Sequence, residues 1–304
     1  MSEKSSIEWT DATWNPTRGC TKIAQGCKNC YAETFAERWR GIKGHPYEQG
    51  FDPRTAPDKL TEPLKWKKPR RIFVDSMSDL FHEAFDFNYI AACFSVMALA
   101  SQHTFQVLTK RPERAARFFE WARAAGTALE MDDANVFHHF TIQGRNNGAA
   151  WESAIRQVED QNAELLPLPN VWIGTSVATQ TDADKNLAIL RQIPAAVRFV
   201  SAEPLIEAIS FRPRAENLTA MMDLLSRGVA DKPDMLGGID WLIVGGESGP
   251  GARPCNVEWI RSIVQQCRAA SVPVFVKQDS ARRQGQQGAI PDDLWIKEFP
   301  EVRR

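Results

Sequence analysis

Short, continuously apolar runs alternate with longer helical patterns along most of this chain, and that alternation restricts the folds open to it. The strand-like runs are RRIFVDSM (70–77), HTFQVLTK (103–110), NVWIGTSV (170–177), VRFVSAEP (197–204), DWLIVGGES (240–248) and VPVFVKQ (272–278). Each holds about four to six consecutive apolar residues, the pattern of a strand buried on both faces of a parallel sheet. Between them lie helical stretches such as AACFSVMALASQ, PERAARFFEWARAA, DKNLAILRQI and VEWIRSIVQQCRAA. A further strand is expected around DATWNPT, followed by a helix at CYAETFAERWR. Such a series of β–α units predicts an α/β fold, either a barrel or an open doubly wound sheet. The polar residues separate the two. Nearly every run ends in small or charged residues on its C-terminal side: Asp75-Ser76, Thr109-Lys110, Thr175-Ser176, Ser201-Ala202-Glu203, Gly245-Gly246-Glu247-Ser248 and Lys277-Gln278. Groups at many strand ends converge on one mouth when the sheet closes or strongly curves. A dinucleotide-binding sheet would instead carry G-x-G-x-x-G after its first strand, and that pattern is absent from the sequence. The expectation is one domain over 1–304, a full or partial (β/α) barrel of about six to eight parallel strands. Two segments, about 124–169 and 212–238, are long for βα connections and are expected to be helical insertions.

The second feature is a trio of cysteines, Cys20, Cys27 and Cys30, in NPTRGCTKIAQGCKNCYAE. Soft thiolates select zinc, copper(I) or iron–sulfur clusters. Three ligands are one short of a closed zinc site or an ordinary cluster, so a cluster held by this trio would keep one iron open. Two other readings stay open at this point: a Cys27–Cys30 redox pair, and a structural zinc site completed by a fourth ligand. Cys255, in GARPCNV, is the candidate for that ligand, whereas Cys93 and Cys267 lie in apolar and helical patterns that suit small buried hydrophobes. His138 and His139, in VFHHF, read as packed or surface residues rather than ligands.

Composition adds bounds. The chain is 43 % hydrophobic and 25 % charged with a formal net charge of −1, so it is globular in type and lacks a global polycationic signal. No apolar stretch approaches the ~18–20 residues of a membrane span, and MSEKSSIEW does not read as a signal peptide. Closely spaced cysteines without a secretion signal point to the cytoplasm. Of ten tryptophans, Trp9, Trp14, Trp66 and Trp241 lie beside polar motif residues.

Three cysteines in the loop after a first strand, followed by serial β–α units, resemble the radical S-adenosylmethionine superfamily. More closely, the chain resembles an uncharacterised phage- and bacteria-associated family grouped near it. The runs that carry this are IEWTDATWNP, GCTKIAQGCKNCYAE, FVDSMSDLFHEAF, FQVLTKRPER, VWIGTSV, RFVSAEPL, DWLIVGGESGPGARP and VFVKQ, which cover most of the chain outside the insertions. The resemblance implies a 4Fe-4S cluster on the three cysteines, S-adenosylmethionine bound at its open iron, a 5′-deoxyadenosyl radical, and a reductant protein as partner. The superfamily spacing is C-x3-C-x2-C; here it is C-x6-C-x2-C, with Gly19 and Gly26 each directly before a cysteine. The superfamily also uses a GGE-type segment on the amino group of S-adenosylmethionine, usually after the second strand. Here GGES falls at 245–248, and Asp75-Ser76-Met77-Ser78-Asp79 occupies the usual place.

On this reading Cys20, Cys27 and Cys30 ligate the cluster and Tyr31 shields it. Asp75, Ser76, Ser78, Asp79, Ser176, Glu203 and Glu247 line the mouth, with the backbone of Gly245 and Gly246 open to close approach by a ligand. Lys110 and Lys277 supply positive charge for a carboxylate or phosphate. No catalytic residue is singled out. The compact run Lys65, Trp66, Lys67, Lys68, Pro69, Arg70, Arg71 mixes cations with an aromatic, a combination that suits nucleic acid, although a solvated rim ahead of a strand has the same composition. The expected function is therefore radical chemistry, with nucleic-acid modification or repair as one destination. The alternative is a non-enzymatic, zinc- or cluster-stabilised nucleic-acid-binding protein.

Overall fold

The computed structural model describes residues 5–128, 166–211 and 236–301. Seven parallel strands form one sheet in the order β1 (Ala12–Trp14), β4 (Arg71–Val74), β5 (Thr104–Thr109), β6 (Val171–Ser176), β7 (Val197–Ala202), β8 (Trp241–Gly245) and β9 (Val274–Gln278). A small antiparallel pair, β2 (Thr17–Arg18) and β3 (Arg54–Thr55), sits beyond β1. Helices α1 (Tyr31–Glu37), α2 (Phe87–Leu99), α3 (Pro112–Ala128), α4 (Gln180–Leu190) and α5 (Val257–Ala270) lie between strands in the chain. Their starts are marked by side chains that satisfy orphan backbone donors: Asp86 accepts from Tyr89 N, Asn256 from Glu258 N, and Thr179 with Asp182 completes a capping box.

The continuously apolar strands bury both faces, and alternation divides them between two cores. One set, including Ile72, Val107, Ile173, Val244 and Val276, packs against the helices. The other set, Phe73, Trp172, Phe199, Trp241 and Phe275, forms an aromatic cluster around Trp9 on the concave face. Gly174 belongs to that face because a Cβ there would lie 2.5 Å from the Phe199 ring. Trp9, Trp14 and Trp241 are thus core residues.

The curvature can be read from one indole. In a flat sheet β4 and β8, four inter-strand spacings of ~4.8 Å apart, would be separated by ~19 Å. Yet Trp9 has its ring 4.7 Å from Phe73 on β4 and 6.2 Å from Trp241 on β8. The sheet is therefore strongly curved, and since β1 and β9 are its edges the architecture is a partial barrel. The C-terminal segment runs along β9, with Val276 N donating to Ile296 O and Glu298 N to Val274 O. It also crosses to the N-terminal side, where Lys297 pairs with Glu8 at 2.6 Å and Arg71 stacks on Phe299 at 4.2 Å.

Residues 129–165 and 212–235, with almost all of the two expected insertions and both His138 and His139, lie outside the described residues. The helix α3 continues to Ala128, so the start of the first expected insertion is helix. Among the described residues no helix is long and apolar enough to cross a membrane.

Candidate functional site

The segment carrying the three cysteines leaves β2 and lies across the C-terminal ends of the strands. Gly19 (φ +76°) makes this possible: a side chain there would collide with the backbone of Asp52, and Cys20 N donates to Phe51 O at 3.1 Å. Further along, a Cβ on Gly26 would stand 3.0 Å from Ala178 Cβ and 3.6 Å from both Lys110 Cε and Pro204 Cδ. Those three residues follow β6, β5 and β7, so the backbone just before Cys27 rests on the mouth itself. Cys27 closes a 3-10 turn (Gln25–Cys27) and Cys30 precedes the first turn of α1. All three cysteines are free and partly exposed.

Two arginines clasp this loop. Arg111, after β5 and only 4 % exposed, donates to Asp79 Oδ2 (3.2 Å), Glu83 Oε2 (2.9 Å), Thr21 O and Oγ1 (3.0 Å each) and Cys20 Sγ (3.3 Å). Asp79 also accepts from Thr109 Oγ1 and Lys110 N, so one buried carboxylate ties the β4 loop to the end of β5. His82 Nδ1 accepts from Ala84 N, which leaves its neutral ring to donate from Nε2 to Thr21 Oγ1 at 2.9 Å. Burial, with Arg111 adding to it, keeps the His82 pKa below the ordinary histidine value. Burial also pushes the Cys20 thiol up to about 11, with Asp79 adding and Arg111 opposing.

The second clasp sits at the end of β8. Glu247, 5 % exposed, accepts from Arg253 N (2.9 Å), Nε (3.0 Å) and Nη2 (2.6 Å), and from Asn29 Nδ2 (2.8 Å). Arg253 Nη1 reaches Gln25 O at 3.1 Å. Burial alone would raise the Glu247 carboxyl; the Arg253 and Asn29 bonds outweigh it and hold the pKa below the ordinary value. The expected ligand role of this carboxylate thus meets a structural one, since Arg253 and Asn29 occupy it. The glycines before it are likewise used internally. A Cβ on Gly246 would lie 2.5 Å from Ser280 N and Oγ, and one on Gly245 would lie 3.1 Å from Gln278 O. The close approach read from GG is made by the end of β9 and the chain just after it.

At the end of β4, Asp75 is 3 % exposed and adopts φ +57°, a left-handed conformation uncommon outside glycine. Thr17 N donates to Asp75 Oδ1 at 3.1 Å. Thr17 Oγ1 lies 2.8 Å from both Asp75 Oδ2 and Ser78 Oγ, and Ser78 Oγ lies 2.7 Å from Gly19 O. With Asp75 ionised, two hydroxyl hydrogens must serve three contacts. A protonated Asp75 supplies the third, giving a continuous chain from the carboxyl through Thr17 and Ser78 to the carbonyl before Cys20. Burial pushes Asp75 up to about 8, opposed by Thr17 and assisted by Asp79. Next to it Ser76 O accepts from Tyr31 Oη at 2.5 Å, and Ser76 Oγ donates to Asn15 Oδ1, so the Tyr31 ring stands over the β4 end with 56 % of its surface exposed.

The remaining mouth residues lie at the ends of β5, β6, β7 and β9. Glu203 shares the concave face with Phe199, and Lys277 shares it with Phe275. The two form an ion pair at 2.5 Å, each 15 % exposed. Ser176 Oγ donates to Glu203 O at 3.1 Å. The Lys110 ammonium has no partner among the described residues. The structure therefore gathers Tyr31, Asp75, Ser76, Ser78, Asp79, Lys110, Ser176, Glu203, Glu247 and Lys277 on the strand-end side that the cysteine loop covers. It does not gather the basic run. Lys65, Lys67, Lys68 and Arg70 precede β4 and Arg71 opens it, at the opposite end of the sheet, where Arg70 stacks on Trp66 and Arg71 pairs with Asp11. Cys255 packs against the helix-side core, whereas Cys20 and Cys30 pack with Ala32, Ala36 and Phe51. Arg111, Arg253, Thr17, Thr21, Asn29 and His82 were not singled out in the sequence. The signals for the two arginines are their places in the loops that leave strands, Arg111 in TKRP just after β5 and Arg253 in the glycine-rich GARP that follows β8.

Among the described residues, no three His, Cys, Asp or Glu side chains converge closely enough to hold a single metal ion. A tetrahedral zinc site at ~2.3 Å per thiolate brings its sulfurs within ~3.8 Å of one another, so the trio as it stands does not form a preset zinc site. A polynuclear cluster spreads its sulfur ligands more widely, and three free thiols on one loop over one mouth are a donor set that suits it.

The family described as "protein of unknown function (DUF5131)" matches residues 4–293, and the chain belongs to it. No curated protein and no solved structure matches.

Proposed function

We propose that this protein is a radical S-adenosylmethionine-type enzyme whose Cys20, Cys27 and Cys30 hold a 4Fe-4S cluster over the mouth of the partial barrel. The observation that supports it is the placement of the cysteine loop: the Gly26 backbone rests on residues that follow β5, β6 and β7, and Cys20 Sγ lies 3.3 Å from Arg111 Nη1 after β5. When bound, such a cluster would supply one electron, taken from a reductant protein, to the sulfonium of S-adenosylmethionine, whose C–S bond would break to release methionine and a 5′-deoxyadenosyl radical. The chain's own residues do the rest. Arg111 and Arg253 fix the two halves of the loop to the barrel. Tyr31 covers the β4 end, while Glu203, Lys277, Ser176 and Lys110 offer both signs of charge and a hydroxyl to the polar groups of the cofactor or substrate. Asp75, held protonated, keeps a negative charge out of the floor beneath the loop. Modification of nucleic acid in the cytoplasm is the destination this reading favours.

Cys255 packs on the helix-side core whereas Cys20 and Cys30 pack with Ala32, Ala36 and Phe51, which favours a three-cysteine cluster over a four-ligand zinc module. The test is anaerobic reconstitution with iron and sulfide, then dithionite and S-adenosylmethionine, with chromatographic assay of 5′-deoxyadenosine. A brown protein that forms 5′-deoxyadenosine is expected. A colourless zinc protein that forms none would sink the proposal.

A further inference from the structure

A cavity of about 320 Å³ opens beside the cysteine loop, between the first turns of α3 and α4. Ile23 and Ala24 of the loop form one wall, and Lys110 and Ser176 at the strand ends form its floor. Five cations face it, Lys110, Arg111, Arg114, Arg117 and Lys185, against three carboxylates.

Each of those carboxylates already has a partner. Glu83 accepts from Arg111, Glu113 pairs with Lys185 at 2.5 Å, and Asp182 caps α4 by accepting from Ala178 N and Thr179 N. Three cations are left without an ion pair among the described residues, although Glu83 and Asp86 act on Arg114, and Glu113 on Arg117, through space. The Lys110 and Arg117 side chains make no hydrogen bond or ion pair among the described residues. Arg114 stacks on Phe87 at 4.7 Å and donates Nη2 to Phe85 O, but its buried Nε has no acceptor. Burial keeps its pKa below the ordinary arginine value; Arg117 and Arg111 push the same way, while Glu83 and Asp86 oppose them. Cations held this close repel one another unless an anion intervenes, and the N-terminal ends of two helices add the same sign of potential.

We propose that this cavity binds a phosphate group of the substrate, in a nucleotide or nucleic acid, and so anchors that substrate beside the cysteine mouth. The inference rests on the mouth being the reaction site. Phosphate suits the cavity because arginine forks match its oxygens in pairs and lysine adds a point charge. The volume is many times the ~10–15 Å³ that a single water needs, which leaves room for the sugar beyond the phosphate. The expected nucleic-acid contact thereby moves from the run at 65–71 to the mouth.

Calorimetric titration of the reconstituted protein with inorganic pyrophosphate tests this, alongside anisotropy with a fluorescein-labelled single-stranded oligodeoxynucleotide. Arg117→Glu and Lys110→Gln should each weaken pyrophosphate binding by about tenfold or more, the scale of one lost charge-assisted bond. Lys67→Glu with Lys68→Glu, at the far end of the sheet, should leave it unchanged. Oligonucleotide binding that pyrophosphate displaces identifies nucleic acid as the source; pyrophosphate binding alone identifies a free phosphorylated compound. No pyrophosphate binding at low salt, or equal losses from the 67/68 and 110/117 variants, overturns the proposal. The Cys27→Ala protein separates the two levels. Lost iron with retained pyrophosphate binding upholds the cavity independently of the radical reading, whereas 5′-deoxyadenosine formation without pyrophosphate binding upholds only the latter.

Discussion

Replacing Asp75 by asparagine should stabilise this protein at neutral pH, the reverse of what removing a buried polar charge usually does. Asp75 is buried at the end of β4, faced by Asp79, Tyr47, Tyr89 and Cys93, with no cation bonded to it. Its folded-state pKa is pushed from 3.8 to about 8. A carboxyl with a raised pKa contributes stability that is fully present below the unfolded value and lost as pH rises toward the folded one. Across that window the folded state keeps a proton that the unfolded chain gives up, at ~1.4 kcal/mol per pH unit. Between pH 5 and pH 7 the loss is therefore about 3 kcal/mol. Asparagine keeps the contacts of the protonated acid. Its Oδ1 accepts from Thr17 N, its Nδ2 donates to Thr17 Oγ1, and its backbone tolerates the φ of +57°. Urea melts of parent and Asp75→Asn at pH 5, 6 and 7 isolate the effect, since every other titrating group is common to both. The gap should widen in favour of the variant by about 3 kcal/mol over those two units. Parallel pH profiles would show that Asp75 is ionised and that the hydrogen count through Thr17 and Ser78 is wrong.

Three further outcomes follow from the same geometry. Arg111→Met should cost about 3–5 kcal/mol in denaturant melts by leaving Asp79 buried without its cation; the double variant with Asp79→Asn should lose less than the two single losses added, and strict additivity would refute the pairing. Gly246→Ala places a Cβ 2.5 Å from Ser280 N and should lower stability by about 1–3 kcal/mol in thermal melts; an unchanged Tm would mean that the β8 and β9 ends separate freely. In the reconstituted protein, alanine at Cys20, Cys27 or Cys30 should abolish iron binding, while Cys93→Ala and Cys267→Ala should retain it; equal loss from all five would dissolve the cysteine assignment.

The architecture was legible because burial on both faces leaves a local trace. Runs such as VWIGTS and WLIVG show no alternation, and chain order alone makes them neighbours in a parallel sheet. Which face each residue takes was not legible for the same reason: Trp172 and Ile173 look alike in sequence, yet one points into the aromatic cluster and the other toward the helices. The mouth was legible at strand ends, where polar residues interrupt apolar runs. Their partners were not. Glu247 reads as a free acid in GGES until the chain turns back and places Arg253 on it, and Lys277 reads as a free cation until the curved sheet brings Glu203 within 2.5 Å. The run at 65–71 leads into β4 and so lies at the N-terminal end of the sheet, away from the mouth.

The cysteine loop has little to hold it in place through apolar burial. Its only regular element is one 3-10 turn, and Ile23 is 51 % exposed. What positions it is charge-assisted hydrogen bonding from two arginines, one after β5 and one after β8, each neutralised by a buried carboxylate from a different strand end. Such bonds are directional as well as strong, so the loop inherits its orientation from the spacing of the strands. That arrangement matters for any reactive centre built on the loop. A site whose supports are fixed by folding needs little reorganisation when its ligand arrives, and here the supports reach Cys20 directly and the backbone two residues before Cys27. The cavity between α3 and α4 shares Arg111 and the Ile23–Ala24 segment with the first of these clasps. A ligand anchored there would bear on the same loop that carries the thiols, so anchoring and chemistry would be coupled through one short stretch of chain.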